Sequence, residues 1–203
     1  PAMAPLRNEL DALGICYEVG GHTERAIRDT DLIVPSPGVP PSIPIVRAAR
    51  EQGAAVLGEM EVASRYCQSK VLAVTGTNGK TTTTELVKDL IESCGHSVIL
   101  AGNNDFPFSA AVQVAPTPEY IVLEVSSYQL ETASRFRPWI GAVLNLTPDH
   151  LARHKTMEEY ARVKARLFHN QQAGDTAVVN EDDSWTRSMA IPKGAARWGF
   201  SMT

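Results

Sequence analysis

Apolar residues come in short runs separated by glycine, proline and polar clusters, and the runs alternate between a helical and a strand period. Residues 4–13 place Leu6, Leu10 and Leu13 on one face of a helix. ICYEVGG (15–21) reads as a strand ending in a glycine turn. Leu32 to Val34, within DLIVPSPGVPP (31–41), reads as a buried strand running into a Pro/Gly-rich loop. A helix over 43–52, a strand over 54–58 and a helix over 59–67 follow. At Lys70 the pattern restarts. KVLAVTG (70–76) is a buried strand, and 81–95 is a helix with Gly95 as its C-cap. Strands are expected over 97–102, 119–125 and 139–146, then an amphipathic helix over 156–172 and a strand over 175–180. ARWGFSMT reads as one more strand. Strands alternating with helices specify α/β architecture, with a parallel sheet covered on both faces.

The restart puts a domain boundary near Ser69. The expectation is a partial N-terminal Rossmann-like domain, 1–69, followed by a P-loop-type parallel-sheet domain, 70–203, truncated at its end. Both ends read as incomplete: the first unit opens on a helix that should follow a strand, and the last residues stop within one. With 43% hydrophobic residues the chain can bury a sizeable core. Its formal net charge of −4 argues against duplex nucleic acid as a partner. Cys16, Cys67 and Cys94 are odd in number and form no C-x-x-C pair, which points away from a disulfide framework or zinc site and toward a reducing compartment. No apolar run is long enough to span a bilayer, and PAMAPLRNEL has no secretory pattern, so a cytoplasmic location is expected, with no membrane partner.

The strongest local signal is V-T-G-T-N-G-K-T, Val74 to Thr81, between an apolar strand and a helix. Gly76 and Gly79 permit tight turning and close backbone approach. The N–H groups of Gly76, Thr77, Asn78, Gly79, Lys80, Thr81 and Thr82 can then face a polyphosphate at a helix N-terminus. Lys80 can reach the β- and γ-phosphates, and the Thr81 hydroxyl can meet Mg²⁺. The first position of the general G-x-x-x-x-G-K-[ST] pattern is Val74 rather than Gly. The alternative is a glycine turn before an ordinary helix.

Glu124 stands near the carboxyl end of a buried strand, the edge where open parallel sheets bind ligands. A carboxylate there is a structural hydrogen-bond acceptor or a metal ligand. One strand later, WIGAVLNLTPDH runs into Asp149 and His150. A lone histidine is more often packed or solvent-facing, but two metal-capable groups downstream of a phosphate loop point to a shared magnesium–phosphate site. Lys164 shares a helical face with Tyr160, Leu167 and Phe168. From pattern alone it is a snorkelling surface lysine.

TGTNGKT, EVSSYQLE, LNLTPDH and the Y-x-x-x-K of Tyr160 to Lys164 together resemble the Mur ligase family, in order and spacing. The S-S-Y-Q-L-E form, SPGVPP (36–41) and VVNEDD (178–183) resemble the member that adds D-glutamate. The resemblance implies an ATP-dependent, ADP-forming amide-bond ligase of peptidoglycan precursor synthesis. Its substrates would be ATP, D-glutamate and UDP-N-acetylmuramoyl-L-alanine, joined through an acyl-phosphate. It implies two Mg²⁺ sites, with Thr81 and Glu124 at the first and His150 at the second. It implies that Lys164 is carbamylated and helps hold the second ion. Lys80, His150 and Lys164 would carry catalysis. Asn103 and Ser126 would lie near the muramoyl–alanine group, and Ser36 and Gly38 would meet the uridine diphosphate. Two departures stand out: Asn104, Asp105 and Phe106 follow Asn103 where the family has Ile or Leu and then Gly, and Ala152 replaces an acid two residues after the histidine. Related readings are another Mur-type or a folylpolyglutamate ligase, a P-loop NTPase of non-ligase type, or a UDP-sugar-binding piece without catalysis.

Overall fold

A computed structural model describes residues 4–40, 42–104 and 106–202, so Pro41 and Asp105 lie outside the described residues. The chain divides into two compact units, one of residues 1–35 and 39–56, the other of residues 36–38 and 57–203. The division falls between Val56 and Leu57, whereas the restart of the sequence pattern lies near Ser69.

In the first unit, α1 (Ala4–Ala12) is followed by an irregular stretch, a 3-10 turn (Glu24–Ile27), β1 (Leu32–Ile33), α2 (Pro44–Glu51) and β2 (Ala55–Val56). The strand expected over 15–21 does not form. Ile15, Tyr17 and Val19 are exposed, and the Glu18 carboxylate instead accepts from the Thr23 amide and hydroxyl, making a local loop. Nor is Leu32 to Val34 buried. The parallel ladder of β1 and β2 is two residues long, so only Ile33 packs against the small core of Ile27, Ala49 and Ala54, while Leu32 and Val34 are exposed.

The second unit opens with α3 (Glu59–Ser64) and is built on six parallel strands: β3 (Lys70–Thr75), β4 (Val98–Gly102), β5 (Tyr120–Glu124), β6 (Ile140–Val143), β7 (Thr176–Asn180) and β8 (Ala196–Phe200). Their order across the sheet is β4-β5-β3-β6-β7-β8. Between β3 and β4 runs α4 (Lys80–Ser93), with Gly95 left-handed just past its end. From β3 the chain crosses to the edge strand β4, comes back to place β5 beside β3, then crosses over to place β6 on the other side of β3. The carboxyl end of β3 is therefore a topological switch point, where the connections diverge and leave a crevice.

Four short helices escaped the sequence pattern: α5 (Phe108–Ala111), α6 (Ser127–Glu131), α7 (Leu151–His154) and α9 (Ser184–Arg187). None is longer than five residues, too short for a helical period to register. α8 (Met157–Ala165) stops before the expected 172. The winding continues as tighter i→i−3 bonds from Leu167, Phe168 and His169 to Lys164, Ala165 and Arg166. Leu167 and Phe168 still reach the core with Ile121, Leu123, Val143 and Val179. No helix among the described residues is long and apolar enough to cross a membrane.

A buried carboxylate fixes α3. Glu61 is fully buried, and its oxygens accept from the amides of Ser134, Arg135 and Phe136 and from the Ser134 hydroxyl. Burial alone would raise its pKa, but these donors outweigh it and hold the carboxyl below the usual range. Arg65 adds an ion pair one turn on.

Candidate functional site

The loop leaving β3 turns into α4 at Gly79, whose φ of 82° is left-handed and suits glycine. Lys80, Thr81 and Thr82 are the first residues of α4, so their amides find no carbonyl within the helix and remain available to an anion. The loop is pinned from the β6 side. Asn145 bridges Asn78 in both directions, its Oδ1 accepting from the Asn78 amide at 2.9 Å and its Nδ2 donating to the Asn78 carbonyl at 3.0 Å. The Thr77 amide donates to the Asn145 carbonyl, and Thr77 Oγ1 accepts from the Thr147 amide. Lys80 folds back, its Nζ donating to the Thr77 carbonyl at 2.9 Å. A lysine resting on its own loop can swing outward without leaving a buried charge.

Glu124, the last residue of β5, is buried to 3% exposure. Its Oε2 accepts from the Thr81 hydroxyl at 2.7 Å and its Oε1 from Asn103 Nδ2 at 3.1 Å. The Asn103 amide also donates to the Glu124 carbonyl. Gly102, at φ 113°, makes this approach possible: a Cβ there would lie 2.2 Å from that same carbonyl oxygen. Thr81, Glu124 and Asn103 therefore meet at one point.

His150 is the left-handed residue that begins α7, with φ 52°. Its Nδ1 lies 3.2 Å from the Tyr128 hydroxyl and its Nε2 3.4 Å from Asp149 Oδ2. Tyr160 joins it to the loop: the Tyr160 ring meets the His150 ring edge-on, with centroids 6.5 Å apart, and its hydroxyl is 3.3 Å from Thr77 Oγ1. Burial raises the Tyr160 pKa, so the hydroxyl stays protonated.

Lys164 is not a surface lysine. It is 2% exposed, and its Nζ donates to Thr75 Oγ1 at 3.1 Å and to the Gly76 carbonyl at 3.0 Å, with the Tyr160 ring 4.9 Å away. Burial drives its pKa down to about 7, the Lys80 charge adds to that, and Asp149 opposes it. An amine in this state is largely neutral just above neutral pH.

The remaining expected residues lie elsewhere or are engaged. The half-buried Ser126 caps α6, its hydroxyl accepting from the Gln129 amide. Ser36 and Gly38 sit in an exposed loop after β1, and no described hydrogen bond joins them to the cluster. The motifs did not single out Asn145, Tyr128 or His154. The buried His154 bonds the Ser127 hydroxyl and stacks on Tyr128. All three lie inside the quoted runs or four residues beyond His150, and only contacts across the fold distinguish them.

Among the described residues, no three His, Cys, Asp or Glu side chains form a metal cluster. The donors present are one buried carboxylate and one hydroxyl beside a phosphate loop. That set fits Mg²⁺, which keeps several waters and binds through one or two carboxylates plus substrate phosphates.

Residues 74–201 match the Mur ligase middle domain. The chain belongs to the Mur ligase family. It is 49% identical over 183 residues to a UDP-N-acetylmuramoylalanine--D-glutamate ligase of Koribacter versatilis, an alignment covering 89% of this chain and 40% of that protein. It is 48% identical over 181 residues to the protein of that name in Pelotomaculum thermopropionicum, again covering 89% and 40%. The chain thus spans 40% of the length of these two Mur ligases. Among solved structures, the UDP-N-acetylmuramate:L-alanyl-gamma-D-glutamyl-meso-diaminopimelate ligase from Neisseria meningitides superposes with a TM-score of 0.63 at 20% identity, covering 98% of this chain and 66% of that one. The MurF ligase from Thermotoga maritima, in complex with ADP, gives a TM-score of 0.57 at 19% identity, covering 76% and 43%. These two likenesses carry the Mur ligase fold.

Proposed function

We propose that this chain is the nucleotide-handling part of an ADP-forming ligase that adds D-glutamate to UDP-N-acetylmuramoyl-L-alanine in the cytoplasm. The observation that carries the reading is the meeting of Thr81 and Glu124 at 2.7 Å beside the phosphate loop, at the switch point of the sheet. The two relatives' shared name supports the choice of D-glutamate.

The chemistry calls for what the chain's residues can supply. A carboxylate acylates poorly because its leaving oxygen is too basic, and transfer of the ATP γ-phosphoryl group to it overcomes this. That step brings two anions together. The loop amides and Lys80 offset their charge and hold the phosphates for in-line attack. Thr81 and Glu124 would hold a first Mg²⁺, which supplies further charge neutralisation when bound. His150 and a carbamylated Lys164 would hold a second. Carbamylation needs a neutral amine: Nζ bonds the carbon of CO₂, a proton leaves, and a cation becomes an anionic oxygen ligand. The depressed pKa of Lys164 suits this. The amine would have to give up its bonds to Thr75 and Gly76. Asn103, drawn to Glu124, and Ser126 would lie near the acyl end of the substrate, and Ser36 and Gly38 near the uridine diphosphate. In this reading residues 1–69 serve the UDP-sugar and 70–203 serve ATP.

The test is ADP formation by the full-length protein against a panel of acceptors. UDP-N-acetylmuramoyl-L-alanine with D-glutamate should give ADP and phosphate. The corresponding dipeptide with a diamino acid, and folate with glutamate, should not. ADP formation without any carboxylate substrate would favour a P-loop NTPase of another kind.

A further inference from the structure

We propose that Tyr128 is a positioning residue for His150: its hydroxyl anchors ring nitrogen Nδ1 and so makes Nε2 the nitrogen offered to a cation. This deepens the ligase reading above and rests on it for the identity of the cation.

The two ring nitrogens have different neighbours. Nδ1 lies 3.2 Å from the Tyr128 hydroxyl, a hydrogen bond in which either atom can be the donor. Nε2 is 3.4 Å from Asp149 Oδ2, an ion-pair contact when the imidazole is charged. Binding a cation through Nε2 requires the proton on Nδ1, and the Tyr128 hydroxyl can accept it there. A hydroxyl serves both states because it can rotate from donor to acceptor. A carboxylate in its place would fix one state, and a phenylalanine would serve neither. Tyr128 is itself held firmly. Its ring lies 5.0 Å from the His150 ring, stacks on the buried His154 at 5.9 Å, and carries the Arg153 guanidinium over it at 5.4 Å. Arg153 is in turn locked to Glu131 by a two-pronged ion pair. The side chain two residues after His150 is Ala152, which has no hydrogen-bonding group, so the orientation of the imidazole falls to Tyr128 and Asp149.

The chain's five histidines can be followed through their ring nitrogens by proton–nitrogen correlation spectra, recorded above the usual imidazole titration range. His150, assigned by His150→Gln, should show an Nδ1 signal shifted by its hydrogen bond. Tyr128→Phe keeps the ring and its stacking; it should leave the His154 signals in place and move the His150 Nδ1 signal to that of a nitrogen without a partner. In the full-length enzyme, Tyr128→Phe should raise the Mg²⁺ concentration for half-maximal ADP formation about tenfold, with a smaller change in kcat. A His150 Nδ1 signal that Tyr128→Phe leaves unchanged overturns the proposal, and so does an unchanged Mg²⁺ requirement in the full-length enzyme. The spectra report on the imidazole whether or not the protein ligates D-glutamate, so failure of the positioning is distinguished from failure of the ligase reading.

Discussion

Lys164 lies beneath the phosphate loop, its Nζ donating to the Gly76 carbonyl at 3.0 Å. A lysine buried beside another cation loses its proton easily, and burial followed by the Lys80 charge brings its pKa down to about 7. In the unfolded chain the group titrates near 10.4. Between these values the unfolded state holds a proton that the folded state lacks, so stability rises with pH. The cost of burying the charge is fully present below about pH 7 and is relieved by about pH 10.5. Around pH 8.5–9 the slope from this residue approaches about 1.4 kcal/mol per pH unit. Urea unfolding of the chain at pH 7.5, 8.5 and 9.5 should show that rise, and Lys164→Met should remove it. Equal slopes for the two proteins would mean that the amine stays charged in the fold.

Glu61 behaves in the opposite sense. Its pKa is held down by the amides of Ser134, Arg135 and Phe136, against the opposing effect of burial. Its contribution is therefore present above the ordinary carboxylate range and lost as acid protonates it. Glu61→Ala leaves three amides without their acceptor and should destabilise the chain by about 3 kcal/mol, since removing one partner of a buried charged network typically costs 3–5 kcal/mol. Glu61→Gln should cost less and weaken the fall in stability below pH 4.5, measured by thermal unfolding across that range.

Glu61 and Lys164 also mark how far the sequence could be read. The strands from β3 to β7 were legible because short apolar runs, bounded by turn residues, leave few alternatives. The phosphate loop and Glu124 were legible because their chemistry sits at the ends of β3 and β5, and His150 because it lies in the LNLTPDH run that follows β6. Lys164 looked like a surface lysine although its face carries Tyr160, Leu167 and Phe168, because its partners are 88 and 89 positions away. Glu61 gave no signal at all: its acceptors' donors lie more than 70 positions on, in a loop without a motif. The expected strand at 15–21 erred the other way. Alternation at Ile15, Tyr17 and Val19 was real, but a strand needs a ladder, and this segment spends its polar groups locally on Thr23.

Lys80 rests on the Thr77 carbonyl at 2.9 Å, where its charge contributes little to the fold. Lys80→Ala should therefore leave the unfolding midpoint nearly unchanged. In the full-length protein it should cut ADP formation by on the order of 10²–10³, the usual loss when one electrostatic contact to a developing charge is removed. Near-normal turnover would deny the lysine its role at the phosphates.

Gly102 offers the sharpest backbone test. Its φ of 113° and the 2.2 Å gap between a built Cβ and the Glu124 carbonyl leave no room for even a methyl group, and the obstruction is main chain, which cannot rotate away. Gly102→Ala must push β4 from β5 at the point where the Asn103 amide bonds Glu124. The expected loss is about 3 kcal/mol, combining a left-handed alanine with overpacking. Because Asn103 and Thr81 share the Glu124 carboxylate, magnesium-nucleotide affinity should fall along with stability. Calorimetric titration of the folded variant with MgADP separates the two effects. Wild-type affinity in a destabilised protein would show that the cation site tolerates displacement of Asn103, leaving Thr81 and Glu124 as its essential pair.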